Sequence, residues 1–142
     1  MIKRNMSPQD AFYELSCYTC SHPDPSFIHQ YAVDAFAAQY ANKNTKNITL
    51  IFALIGLYLH LEKNFTGKDV QNAHIKLGRF KKKWQSFDLP KNRGDVTVYH
   101  AISATEGSER DEAIRKWSAS VWEAYAHVHA DIAIVVQREL WK

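Results

Sequence analysis

Residues 47–63 narrow the choice of fold more than any other stretch of this chain, because as a helix they are apolar almost all the way round. Leu50, Ile51, Ala53, Leu54, Ile55, Leu57 and Leu59 leave no broad face for water. A surface helix carries one apolar stripe, whereas a helix apolar on all sides has to be surrounded by other elements. The run from Ile48 to Leu61 is interrupted by Thr49 and His60. It falls short of the roughly 20 residues that span a bilayer, so it reads as a buried core helix. Gly56, with Ala53 one helical step away, gives this helix a small-residue face for close approach.

The partners that would surround it are legible from breakers and caps. Ser7-Pro8 is an N-cap followed by proline at the first helical position, which opens a first helix over about 8–20. Pro23 and Pro25 separate that helix from a second over about 26–41. A fourth opens at Thr66-Gly-Lys-Asp69, a capping-box start. It continues with Val70, Ala73, Leu77, Phe80 and Trp84 at three- and four-residue intervals. A polar connection from Gln85 to Val96 contains Pro90. A short helix over about 97–105, with Thr97 as its cap, precedes a long one starting at Ser108. Acidic residues in the first turn of that last helix suit its dipole. No segment alternates with period two for long enough to be a strand. The expected architecture is a single all-α domain, 1–142, of five or six helices around the central apolar one.

Bulk properties exclude several classes. A length of 142 residues with 46% hydrophobic and 13% aromatic residues is globular composition. The net charge of +3 neither demands nor forbids an anionic partner. Met1 to Ser7 has no apolar core of a secretory signal, and two cysteines are too few for a disulfide framework, so a cytoplasmic location is expected. The basic cluster Lys76, Arg79, Lys81, Lys82 and Lys83 reads as a solvated helix face, which makes nucleic acid an unfavoured partner. There is no glycine-rich phosphate loop, nucleophile elbow or His-Glu-x-x-His pair.

Chemistry therefore has to be sought among the histidines. Residues two apart on a helix point about 200° apart, so His127 and His129 cannot share a ligand if their segment stays helical. The apolar sector of the last helix holds Ile114, Trp117, Val121, Tyr125, Val128, Ile132 and Val136. His129 falls at its edge, while His127 lies opposite with Ser120 and Glu123. On the second helix His29 joins Val33, Phe36 and Tyr40 in the apolar sector, and Asp34 points away. Glu62, near the end of the third helix, is an acid on an otherwise apolar element, which is costly unless paired or exposed. Inward His29 and His129 with Glu62 would form a divalent-metal site for zinc, nickel, manganese or iron, since bundles build such sites from facing helices. The bland alternative is that each histidine hydrogen-bonds within the core. Gln39, His60, His100, Trp122 and Tyr125 are further pocket candidates.

Cys17-Tyr-Thr-Cys20, followed by His22, has zinc spacing on one side only and lacks a second pair. A redox reading is opposed by its place at a helix C-terminus, where the dipole disfavours thiolate. Two buried or half-buried free thiols are expected, with metal or redox chemistry as the alternatives.

His29-Gln-Tyr-Ala-Val-Asp34-Ala-Phe-Ala-Ala-Gln39, Leu57-Tyr-Leu-His-Leu-Glu62, Thr97-Val, Trp117 and Val121-Trp122-Glu-Ala-Tyr125 with His129 together resemble a family of small bacterial proteins of unknown function. The resemblance runs from about residue 10 to 140. It implies an all-helical fold and places His29, Asp34, Gln39, Glu62, Trp122 and His129 on the family pattern, but it implies no activity. Relatives tend to carry two adjacent histidines after the tryptophan segment, of which only His129 has a counterpart here. A looser, fold-level similarity is to DinB-like bundles, which often hold a metal on three histidines. The expected function is a metal-binding helical bundle acting as a hydrolase or transferase. The alternatives are an interaction or homodimerisation module without catalysis, and a weak nucleic-acid binder through the basic face of the fourth helix.

Overall fold

The computed structural model describes residues 6–22 and 26–141. The expectations for Pro23 and Pro25, and for the first five residues of the chain, lie outside the described residues. Among the described residues there are seven α-helices and no strand: α1 (Pro8–Ser21), α2 (His29–Gln39), α3 (Asn47–Lys63), α4 (Gly67–Gly78), α5 (Val98–Ser103), α6 (Ser108–Ala124) and α7 (His129–Leu140). No helix there is long and apolar enough to cross a membrane.

The caps do what their residue types allow. Ser7 Oγ accepts from the Asp10 amide at 3.1 Å, and Pro8 occupies the first turn of α1. Thr66 and Asp69 exchange side-chain and backbone bonds in a complete capping box at the start of α4. Thr97 accepts from the Tyr99 amide at 3.2 Å, while His100 Nδ1 accepts from the Thr97 amide at 3.0 Å. Asn64 closes α3 in the left-handed region, φ 57°, which asparagine tolerates better than most residues.

Two helices, not one, form the centre. α3 packs on α2, α4, α6 and α7, and α2 packs on α1, α3, α4 and α6. Leu50, Ile51, Leu54, Ile55, Leu57 and Leu59 of α3 are buried, each stabilising the fold by roughly 1.5–3 kcal/mol relative to exposure. α2 departs from the expected orientation. Its buried residues are Gln30, Tyr31, Ala32, Asp34, Ala35, Ala38 and Gln39, whereas Val33, Phe36 and Tyr40 are half-buried. Asp34, expected to point away, is 3% exposed. The alanine face lets α2 approach α3 closely, and the bulky residues fill the margins; Phe36, for instance, stacks on Phe12 at 4.3 Å between centroids.

The expected long last helix is broken. α6 stops at Ala124, residues 126–128 form one turn of tighter 3₁₀ helix, and α7 begins at His129. That break accounts for a helix number above the expected five or six. The apolar stripe of the fourth helix also outruns the helix itself. α4 ends at Gly78, and Trp84 is buried from a segment outside any helix. This segment is pinned along its length. Asn47 Nδ2 donates to the Trp84 carbonyl at 3.2 Å, His127 Nε2 lies 2.8 Å from the Asp88 carbonyl, and Ser120 Oγ accepts from the Asp95 and Val96 amides at 3.0 and 3.2 Å.

Candidate functional site

The sequence candidates fall into five separate places. Glu62 and His129 meet at Trp122. The indole Nε1 donates to Glu62 Oε2 at 2.9 Å, and the His129 ring stacks on the indole at 3.8 Å between centroids. His129 Nε2 lies 2.7 Å from the Trp122 carbonyl oxygen. A carbonyl only accepts, so Nε2 carries the proton and Nδ1 is the basic nitrogen. His129 is half-buried and Glu62 exposed. Tyr58 lies beside the same indole, 6.0 Å between ring centroids.

His29 has a different partner. It sits half-buried in the first turn of α2, with Nδ1 2.8 Å from Thr19 Oγ1 of α1. Thr19 also donates to the Ser16 carbonyl at 3.3 Å, so the histidine is the donor in the shorter bond. Its pKa is lowered by burial. Among the described residues no group of three or more His, Cys, Asp or Glu side chains is arranged to hold a metal ion.

Gln39 and Tyr125 secure the C-terminal end of α2. Gln39 Oε1 accepts from Trp117 Nε1 at 2.7 Å, and its amide donates to the Arg93 and Val96 carbonyls at 3.1 and 2.8 Å. Tyr125 donates to the Ala38 carbonyl at 2.6 Å. Arg93 Nη1 donates to the Gln39 and Ala41 carbonyls at 3.0 and 2.7 Å, and its Nε to Pro90 at 2.7 Å. Carbonyls at a helix end have no partner within the helix, and this set supplies one. His100 is exposed and bonded to Thr97, as described.

His60 stacks on Tyr31 at 3.4 Å between centroids, and its buried Nε2 has no hydrogen-bond partner. Burial pushes its pKa down to about 4, against a smaller raising effect of a hydrogen bond with the Phe65 backbone.

A polar chain that the sequence reading missed runs between α2, α3 and α4. Gln30 Nε2 donates to Asp34 Oδ1 at 3.1 Å and lies 3.5 Å from His74 Nδ1, while His74 Nε2 lies 2.7 Å from the Phe52 carbonyl. One tautomer, protonated at Nε2, satisfies both histidine contacts. Burial raises the Asp34 pKa well above the usual carboxylate value, with the Gln30 bond opposing it. The Asp34 carboxyl rests against Gly56, where a Cβ would collide with it. The small-residue face of α3 thus receives a carboxyl group rather than an apolar neighbour.

A concavity carrying charges of both signs lies elsewhere, between α1 and the α5–α6 turn. This cleft of about 460 Å³ is lined by Glu14, Cys17, Ser21 and His22 on one side and by Ile102, Glu106 and Arg110 on the other, with Tyr18 at its base. Glu14, Cys17, Tyr18 and Ser21 follow three- and four-residue spacing, so they share one face of α1. Both cysteines are exposed free thiols, which corrects the expectation of burial. The buried face of α1 is Ala11, Leu15, Tyr18 and Thr19 instead.

Arg110 is fixed in place. Its Nε and Nη2 donate to the Ala104 and Ile102 carbonyls at 3.1 and 2.8 Å, Nη1 reaches Glu106 Oε2 at 3.4 Å, and the guanidinium lies 4.8 Å from the Tyr18 ring centre. Those bonds engage three of its five N–H groups. Tyr18 donates to Asp111 Oδ1 at 2.9 Å and accepts from the Gly107 amide at 3.0 Å. Gly107 has φ 105°, a conformation that favours glycine. His22 Nδ1 lies 2.7 Å from the Tyr18 carbonyl, so the proton is on Nδ1 and Nε2 is the basic nitrogen.

Fold and site together define a small all-α bundle with a charged cleft on one flank. Within that class, the chain belongs to the Family of unknown function (DUF5946), whose profile matches residues 6–126. The match takes in the whole cleft together with His29, Asp34, Gln39, Glu62 and Trp122, and it ends before α7 and His129. No curated protein and no solved structure matches the chain.

Proposed function

We propose that the protein is a binding module for a small zwitterionic molecule of amino-acid or short-peptide type, held in the cleft between α1 and the α5–α6 turn. The observation that carries this reading is the charge layout of the cleft. Arg110, its guanidinium held by the Ala104 and Ile102 carbonyls and paired with Glu106 on the same wall, shares a space of about 460 Å³ with Glu14 on the opposite wall. A ligand carboxylate would take the remaining Arg110 donors, for which the planar fork is suited. A ligand ammonium would be drawn to Glu14 and Glu106. The histidines of the sequence reading work, on this view, as hydrogen-bonding ties between helices.

Amide chemical shifts of the ¹⁵N-labelled protein, titrated with the unreactive thioether S-methylglutathione, test this reading. Saturable shifts confined to α1, α5 and the start of α6, weakened by Glu14→Gln with Glu106→Gln, are expected. Absence of saturable shifts at millimolar probe would overturn it.

The meeting of Glu62 and His129 at Trp122 favours a second reading, a divalent cation on His129 Nδ1 and the Glu62 carboxylate. Stoichiometric metal in untagged protein incubated with zinc or nickel, lost in His129→Ala, would support it. Metal-free protein after that incubation would remove it.

A further inference from the structure

Cys17 and Cys20 are one helical turn apart on α1, both are exposed, and Cys17 lines the charged cleft. Neighbours three apart on a helix have Cβ atoms roughly 5–6 Å from each other. A disulfide needs them about 3.5–4.5 Å apart, so closing a bond requires the last turn of α1 to tighten by roughly 1–2 Å. That turn is suited to the change, since α1 ends at Ser21, one residue beyond Cys20.

The two thiols are not equivalent. Cys20 stands in the last turn and does not line the cleft. Cys17 stands a turn further in, and its cleft also holds Arg110 and His22, whose Nε2 is free of the Tyr18 bond. The attacking thiol should therefore be Cys17 and the resolving thiol Cys20.

We propose that the cleft is a thiol–disulfide exchange site for a zwitterionic low-molecular-weight disulfide, an inference that rests on the cleft being a binding site for such molecules. The Cys17 thiolate attacks one sulfur of the bound disulfide. The ligand's S–S bond breaks, one ligand thiolate leaves, and a mixed disulfide forms on Cys17. Cys20, losing its proton to solvent, then attacks Cys17 Sγ and expels the second ligand thiolate. In total two protein thiols are oxidised to one disulfide and one ligand disulfide is reduced to two thiols. Glu14 and Glu106 would attract the ligand ammonium and Arg110 its carboxylate, so the charged groups of the cleft select the ligand.

The test uses the full reduced chain with oxidised glutathione, followed by intact mass and peptide mapping. The wild type should end as an intramolecular Cys17–Cys20 disulfide with two glutathiones released. Cys20→Ser should stop at one glutathione on Cys17. Cys17→Ser should react at Cys20 at least about tenfold more slowly, because Cys20 lies outside the cleft that would hold the disulfide and exchange rate follows access. Hydroxyethyl disulfide, which lacks the charges, should react with Cys17 more slowly than glutathione disulfide, and Glu14→Gln with Glu106→Gln should narrow that gap. Equal reactivity of the two cysteines, a persistent mixed disulfide in the wild type, or no preference for the charged disulfide would each overturn the proposal. If S-methylglutathione binds and no exchange follows, the exchange step alone fails. If it does not bind, the binding reading fails with it.

Discussion

Replacing Gly56 by alanine adds one methyl group, and the structure says where it must go: onto the Asp34 carboxyl, with Val70 Cγ1 3.2 Å away. Neither neighbour can move freely, because Asp34 is 3% and Val70 0% exposed. Overpacking of this kind costs about 1–3 kcal/mol. Displacing Asp34 from Gln30 leaves a buried polar pair unsatisfied for about 1–3 kcal/mol more. Against these, alanine is favoured over glycine inside a helix by about 1 kcal/mol. The balance is a loss of about 1–5 kcal/mol, or about 4 °C in melting temperature for each kcal/mol in a chain of this length. Denaturant titration followed by circular dichroism measures it. Asp34→Ala separates the contact from a general intolerance of position 56. With the carboxyl gone, the methyl has room and the helix-propensity gain dominates, so Gly56→Ala should become neutral or stabilising in that background. An equal loss with and without Asp34 would refute the reasoning, because the two positions would then be uncoupled.

Other outcomes follow from the same contacts. Arg93→Ala removes donors from the Gln39, Ala41 and Pro90 carbonyls and should destabilise by about 2–3 kcal/mol, since bonds from charged donors exceed ordinary ones; an unchanged denaturation midpoint would contradict its capping role. The folded protein holds His60 neutral, with its pKa lowered from 6.5 to about 4, and His29 and His74 are lowered by burial as well. The unfolded chain thus binds more protons between those values, so this stability is whole above pH 6.5 and is lost as pH falls toward 4. His60→Phe, which keeps an aromatic ring on Tyr31, should flatten that acid limb in stability measured against pH. Asp34 has the opposite sign. Its carboxyl is raised in the folded state, so its contribution is present at low pH and is lost as pH rises through the folded value. Asp34→Asn should therefore gain stability relative to the wild type as pH rises above the usual carboxylate range, and a difference that stays flat or shrinks would show that the carboxyl is not held protonated.

The elements were legible where local chemistry decides them. Ser7-Pro8, Thr66 with Asp69, and Thr97 cap real helices, because a cap depends on residues within three or four positions. The all-helical class followed from those caps, from apolar residues at three- and four-residue spacing, and from the lack of any sustained period-two segment. The break at 125–128 was not legible, since the apolar spacing of 114–136 persists across it. Trp84 misled for a related reason: it is buried at helical spacing from α4, yet it lies in a segment outside any helix. His29, Glu62 and His129 illustrate what a helical wheel leaves out. It gives each side chain a direction but not the depth or offset of neighbouring helices, so it could not separate Thr19 from Trp122 as destinations.

The wheel fails most clearly on α2, and the reason bears on where function can reside. A helix packed against α1, α3, α4 and α6 has little solvent face, so the size of its residues, rather than their polarity, decides which of them point toward the closest neighbour. Ala32, Ala35 and Ala38 allow that approach, Asp34 fits because Gly56 offers no side chain, and Gln30 and Gln39 are admitted because each finds partners. Polar residues of this kind have their hydrogen bonds directed into the fold, and a ligand would have to break them. Arg110 differs, having five N–H groups of which the protein engages three. Glu14, Cys17 and Ser21 differ too, because they form an exposed stripe on α1 beside its buried face. On physical grounds a binding site belongs where charges and thiols remain accessible in a concavity, and Glu14, Glu106 and Cys17 are exposed in the cleft between α1 and the α5–α6 turn.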